Sequence, residues 1–173
     1  AMPVQVDVFG YPGATGAGWA RAELPTLRAW FDERPYDVVV FAYGTNEAND
    51  RHFTPAAYAE QLGRSLAAWR LAFPEAACLV LGPGDRGVRV PIRKRKGKAA
   101  KARRVPAAEL LKYAKLHEQV AKIQAQAAQQ AGCTALSLQA LMGGRGSAYA
   151  WARTSPPRRS EERRVGKECA TLC

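Results

Sequence analysis

Gly44-Thr45-Asn46-Glu47 sets a bare backbone, a hydroxyl, an amide and a carboxylate side by side, directly after the apolar run Val38-Val39-Val40-Phe41-Ala42-Tyr43. The run has no polar alternation, which is the pattern of a strand buried on both faces of a parallel sheet. In an open α/β sheet, ligands bind just beyond the carboxyl ends of the strands. A strand that delivers these four residues to that edge marks a candidate site. The plainer reading is a turn, because these residue types also reverse the chain.

A second cluster lies upstream, Gly10-Tyr11-Pro12-Gly13-Ala14-Thr15-Gly16-Ala17-Gly18. Four glycines in nine residues point to positive φ or to a close approach of backbone. One reading is a phosphate cradle like that of a dinucleotide fold. The pattern misses, since Arg21 stands where the third glycine belongs. Asp50 and His52 follow the central turn, but loop residues two apart do not reliably face each other, and a solvated loop is the expectation for His52. The four cysteines, Cys78, Cys133, Cys169 and Cys173, have no short metal-site spacing. Cys78 and Cys133 each open an expected strand, which leaves open both a disulfide and two separate buried thiols.

Asp37–Glu47, DVVVFAYGTNE, resembles the third sequence block of the SGNH (GDSL-type) hydrolases, where a buried strand ends in Gly-x-Asn-Asp or Gly-x-Asn-Glu. Within that family it is most similar to the envelope esterases that remove O-acetyl groups from peptidoglycan or related polysaccharides. Gly10-Tyr11-Pro12-Gly13-Ala14-Thr15 resembles the second block, and Gly82-Pro83-Gly84-Asp85 stands where the family commonly has Gly-Pro-Pro-Asp. The resemblance implies that the Asn46 side-chain amide and the Gly13 N–H are oxyanion donors. Gly44, Thr45 and Glu47 would then line the substrate, and Asp85 would order its loop. A fixed amide donor aimed at an acyl-transfer oxyanion is worth roughly 3–4 kcal/mol.

The resemblance also implies a Ser nucleophile with a His base aligned by an Asp. Neither the Gly-Asp-Ser block nor the Asp-x-x-His block of the family occurs in this sequence. Ser65 falls in an expected helix, Ser137 in an expected strand, and Ser147 follows a glycine loop in the wrong place. The chain is therefore expected to carry half of the oxyanion hole, none of the triad and no turnover of its own. The likeness covers residues 4–157 and is strongest over 36–85. No metal or organic cofactor is implied.

These residues need elements to hold them. Val4–Val8 alternates and is expected as a strand; Leu27, Trp30 and Phe31 mark the buried face of a helix near Pro25. Thr54 caps a helix with Pro55 in its first turn, buried through Tyr58, Leu62, Leu66, Trp69 and Phe73. Cys78–Leu81 is a buried strand. A long helix is expected from Pro106 to Ala131, with Leu110, Tyr113, Leu116, Val120, Ile123 and Ala127 as its stripe, His117 beside that stripe and Gly132 as its stop. Thr134–Leu138 is the last strand. The expected fold is a three-layer α/β/α sandwich around a mostly parallel sheet, incomplete at both ends.

The chain of 173 residues is long enough for one domain with its own core, and no run approaches a membrane span. Its net charge of +11 is local. Residues 88–105 hold nine Lys and Arg and no acid, residues 158–173 are also net basic, and the remainder is near neutral. The 88–105 loop lacks aromatics for stacking bases, so no specific nucleic-acid partner is expected. It is expected to be solvated, with an anionic polymer such as an envelope glycan as its possible partner. Arg159–Cys169, RSEERRVGKEC, has no structural period and looks like the translation of a common sequencing adapter, so 158–173 is expected to be a non-native tail. The reading is an ester hydrolase of the periplasm, envelope or secreted space, acting in its full-length parent on an acetylated polysaccharide or another small ester. The alternatives are a non-catalytic polyanion-binding module and a nucleotide-binding α/β domain.

Overall fold

The structure, a computed structural model, describes residues 3–32, 35–88 and 107–153. Strands β1 (Val38–Phe41), β2 (Ala77–Gly82) and β3 (Thr134–Ser137) form a parallel sheet in the order β1-β2-β3. Val39 stands opposite Cys78, Phe41 opposite Val80, and Leu81 opposite Leu136. Helix α1 (Leu24–Phe31) precedes the sheet. Helix α2 (Pro55–Ala72) links β1 to β2, and α3 (Ala107–Leu110) with α4 (Lys112–Gln130) precedes β3. Two short helices, α5 (Leu138–Leu141) and α6 (Ser147–Arg153), follow β3. This is the expected α/β class with a parallel sheet.

Parallel neighbours require crossovers, and both of these step the same way across the sheet. The usual right-handed sense then places α2 and α4 on one face, where they pack together. Val39, Phe41, Cys78 and Val80 point into that layer and are buried. The other face leaves Val38 58%, Val40 50% and Leu136 40% exposed. β1 is thus buried on one face rather than two, and the described residues supply the sheet and one of the two expected helical layers.

Helix α2 forms as its sequence dictates. Thr54 accepts the Ala57 N–H at 3.3 Å, and Pro55 occupies the first turn, where its missing N–H costs nothing. Tyr58, Leu62, Leu66, Trp69 and Phe73 are all buried. Trp69 meets Phe41 edge-on with ring centroids 5.3 Å apart, which ties the helix to β1.

Three expectations are corrected. Val4–Val8 is not a strand; Val4, Val6 and Val8 are exposed, because among the described residues no strand lies alongside to take its backbone groups. The segment is anchored by Tyr36 donating to Asp7 Oδ2 at 2.8 Å and by Phe9 against Phe31. Trp30 is 70% exposed, because the two-turn α1 meets α2 through a narrow stripe that includes buried Phe31. The long helix breaks at Leu111, and the buried face of α4 is Ala114, His117, Val120, Gln124 and Ala128. An apolar stripe passes over the two polar members of that face.

Cys78 and Cys133 are joined as a disulfide across the β2–β3 ladder, with Cα atoms 4.8 Å apart. No helix among the described residues is long and apolar enough to cross a membrane. The basic loop and the 158–173 tail lie outside the described residues, apart from Val88.

Candidate active site

Two loops meet at the carboxyl end of β1. The first contains Tyr11-Pro12-Gly13-Ala14, closed by Ala14 N–H donating to Tyr11 O at 3.0 Å. Gly13 sits at φ +77°. Proline second and a positive-φ glycine third is the signature of a type II turn, which only a residue without Cβ adopts at low cost. The chain then enters a 3-10 segment, Gly16–Arg21. The second loop is Gly44–Asn46, running into the 3-10 turn Glu47–Asn49. Gly44 has φ +120°, and a Cβ there would lie 2.8 Å from Val120. Close contact with α4 therefore demands glycine at this point.

Glu47 fastens the loops together. Its carboxylate is buried, with Oε1 accepting the Gly16 N–H at 2.7 Å and Oε2 the Gly44 N–H at 3.0 Å. Bonds from backbone donors to an ionised acceptor are among the stronger kinds. Glu47 borders the cleft, but both carboxylate oxygens serve the backbone, so its main task differs from the substrate contact expected of it. Asn46 adds a third tie, with Nδ2 donating to Ala14 O at 2.7 Å. A primary amide carries two N–H bonds, so one donor remains to face a ligand.

These residues border an open cleft of about 470 Å³. Gly13, Thr15, Asn46 and Glu47 line one part, and Asp50, His52, Phe53, Tyr58 and Gln61 complete it. The sequence thus anticipated Gly13, Asn46 and Glu47 at one site, and the structure brings all three to the cleft. Thr45 and Gly44 lie in the same loop but do not line it. His52 does line it, and is exposed in a turn as the solvated-loop expectation has it. Asp50 and His52 form no side-chain pair; Asp50 Oδ1 accepts the His52 backbone N–H at 2.9 Å. Among the described residues no Lys or Arg lines the cleft.

Behind the cleft, Gln124 Nε2 on α4 donates to Tyr43 O at 2.8 Å and to the Tyr58 hydroxyl at 3.1 Å, joining both helices to the end of β1. Burial, reinforced by the nearby Glu47 charge, pushes the Tyr58 phenol well above its ordinary range. Tyr58 therefore remains a neutral hydroxyl in the wall. Nothing in the spacing of Tyr58 or Gln124 marked them as site supports, because each reads as one more position on a helix.

Asp85 orders its loop, as expected. It is buried, accepts Gln139 Nε2 at 2.8 Å, and accepts the Ala148 N–H in the first turn of α6 at 2.9 Å. His117 is fully buried and donates from Nδ1 to Gly84 O at 2.6 Å, a structural role. Among the described residues, no cluster of three His, Cys, Asp or Glu is placed to hold a metal ion.

The geometry weakens the phosphate-cradle reading. The Gly16 N–H is already taken by the protein's own carboxylate, Glu47, so an incoming phosphate would meet negative charge. The segment that follows is a 3-10 helix of six residues, without the aligned amides of a long α-helix.

Comparison with protein-family models and with curated protein sequences gives no match. A solved structure of a peptidoglycan O-acetylesterase matches the fold with a TM-score of 0.55 at 20% sequence identity. The likeness covers 81% of this chain and 35% of that one, so the chain spans about a third of that protein's length. At this identity the match shows a shared fold: helices packed on a parallel three-stranded α/β sheet.

Proposed function

We propose that the cleft is the acyl-binding half of a serine esterase site, and that the full-length parent removes O-acetyl groups from an envelope polysaccharide. The observation that carries this reading is the convergence of Gly13 and Asn46, remote in sequence, on one cleft and tied together through Ala14. A backbone N–H at a positive-φ glycine and a fixed carboxamide N–H are the donors that an acyl-transfer oxyanion requires. The structural likeness to a peptidoglycan O-acetylesterase supports the substrate class. The Cys78–Cys133 bond supports an oxidising compartment such as the periplasm or the envelope.

In this mechanism a Ser hydroxyl attacks the acetyl carbon, and a His base takes its proton. Negative charge grows on the carbonyl oxygen, and Asn46 Nδ2 and Gly13 N–H hold it. The alcohol of the glycan leaves with a proton, and water then releases acetate from the acyl-enzyme. The Ser and His are proposed to come from parts of the parent outside this sequence. The polyanion-binding alternative rests on residues 88–105 alone, since among the described residues no cationic side chain lines the cleft.

The test starts with long-read sequencing through the source locus, followed by expression of the parent against acetylated peptidoglycan. A Gly-Asp-Ser block upstream, an Asp-x-x-His block downstream and acetate release reduced about 10²- to 10³-fold by Asn46→Ala are expected. Acetate release unchanged by that substitution would sink the oxyanion assignment.

A further inference from the structure

Although the missing Ser and His blocks lead to the expectation of no turnover by this chain itself, we propose that it carries a serine-independent activity: hydrolysis of activated esters with His52 as general base. The inference rests on the reading of Gly13 and Asn46 as oxyanion donors. His52 is exposed and lines the same cleft as both of them. Its backbone N–H is held by Asp50 Oδ1 at 2.9 Å, and the neighbouring Phe53 N–H donates to Asp50 O at 3.1 Å, so the backbone that carries the ring is fixed at the cleft wall. Among the described residues its ring has no hydrogen-bond partner, which leaves both ring nitrogens for water. Phe53 and Tyr58 pack against each other at 5.7 Å and supply an aromatic wall for an acyl or aryl group.

The step balances with water as the only co-reactant. A ring nitrogen of His52 takes a proton from a water molecule as the water oxygen bonds to the acyl carbon. The carbonyl π pair moves onto oxygen, where Asn46 Nδ2 and Gly13 N–H hold it. Collapse of this intermediate breaks the acyl C–O bond, and the departing oxygen takes its proton from the imidazolium. Without a Ser nucleophile there is no covalent intermediate, which confines the activity to esters with good leaving groups.

The chain has only two histidines, and His117 is wholly buried, so an imidazole-dependent rate belongs to His52. The experiment follows p-nitrophenyl acetate over many turnovers with the full chain and with His52→Ala and Asn46→Ala. The intact chain is expected to exceed equimolar free imidazole by about 10²-fold, a gain of the size one oxyanion donor supplies. Asn46→Ala should fall to the free-imidazole rate, and His52→Ala to the buffer rate. The rate should slow in D2O, since the proton moves in the rate-limiting step.

A rate kept in His52→Ala overturns the assignment, while its loss in Asn46→Ala would leave the oxyanion reading standing. A rate lost in His52→Ala but kept in Asn46→Ala overturns the joint site, because the ring then acts alone. A rate unchanged in D2O overturns base catalysis in favour of direct attack by the ring. No excess over imidazole overturns the inference and leaves the parent's serine reaction to its own assay. His52 is on the surface, so His52→Ala should melt like the intact chain.

Discussion

Glu47 is the side chain on which the shape of the cleft depends most. Replacing it with Ala leaves the Gly16 and Gly44 N–H groups without their acceptor, and each buried orphan costs about 1–3 kcal/mol. Glu47→Ala is therefore expected to destabilise the chain by about 2–6 kcal/mol in urea unfolding. Glu47→Gln keeps one good acceptor and should lose about half as much. Equal and negligible losses for both would mean that the loops hold each other without it. Asn46 stands in a different position, since its backbone tie uses one N–H and leaves the other for the proposed oxyanion contact. Glu47 secures the cleft and its neighbour Asn46 is proposed to serve it, a division that residue type alone does not reveal.

At the scale of elements, the helices obey local rules and the strands obey their partners. Thr54-Pro55 and the spacing from Tyr58 to Phe73 define α2 before any fold is known. Val4–Val8 has the same quality of local signal for a strand, yet no neighbour among the described residues completes it. β2 and β3 are joined by hydrogen bonds and also by the Cys78–Cys133 bond, which closes a loop of 55 residues. Closing a loop of that length removes about 4 kcal/mol of unfolded-state freedom in the chain-entropy account. Dithiothreitol is expected to lower the urea midpoint accordingly, with little change in far-UV circular dichroism at low denaturant. A midpoint unmoved by reductant would contradict a formed bond.

For the molecule as a whole, the open sheet face is the dominant feature. Both crossovers turn to one side, so Val38, Val40 and Leu136 face outward, with extended Val4, Val6 and Val8 also exposed. Exposed apolar surface and an unpaired edge strand promote association. Val38→Thr with Val40→Thr should change stability by no more than about 0.5 kcal/mol per site, because little packing is lost. The same pair should reduce concentration-dependent light scattering. A large loss of stability would show that this face is packed in solution.

The sequence by itself determined the α/β class, the capped helix α2, the glycine turn at Gly13 and the polar turn at Gly44–Glu47. Each of these is encoded within a few neighbouring residues, through periodicity, a cap or a residue without Cβ. Only the tertiary structure decided which face of β1 is buried, because that depends on the handedness of two crossovers and not on the run of valines. It alone turned both oxygens of Glu47 onto backbone amides, buried His117 and Gln124 in α4, and brought His52 to the wall of the cleft that Asn46 also lines. Those outcomes are set by groups remote in sequence, whose meeting costs chain entropy and is settled only when the whole core packs.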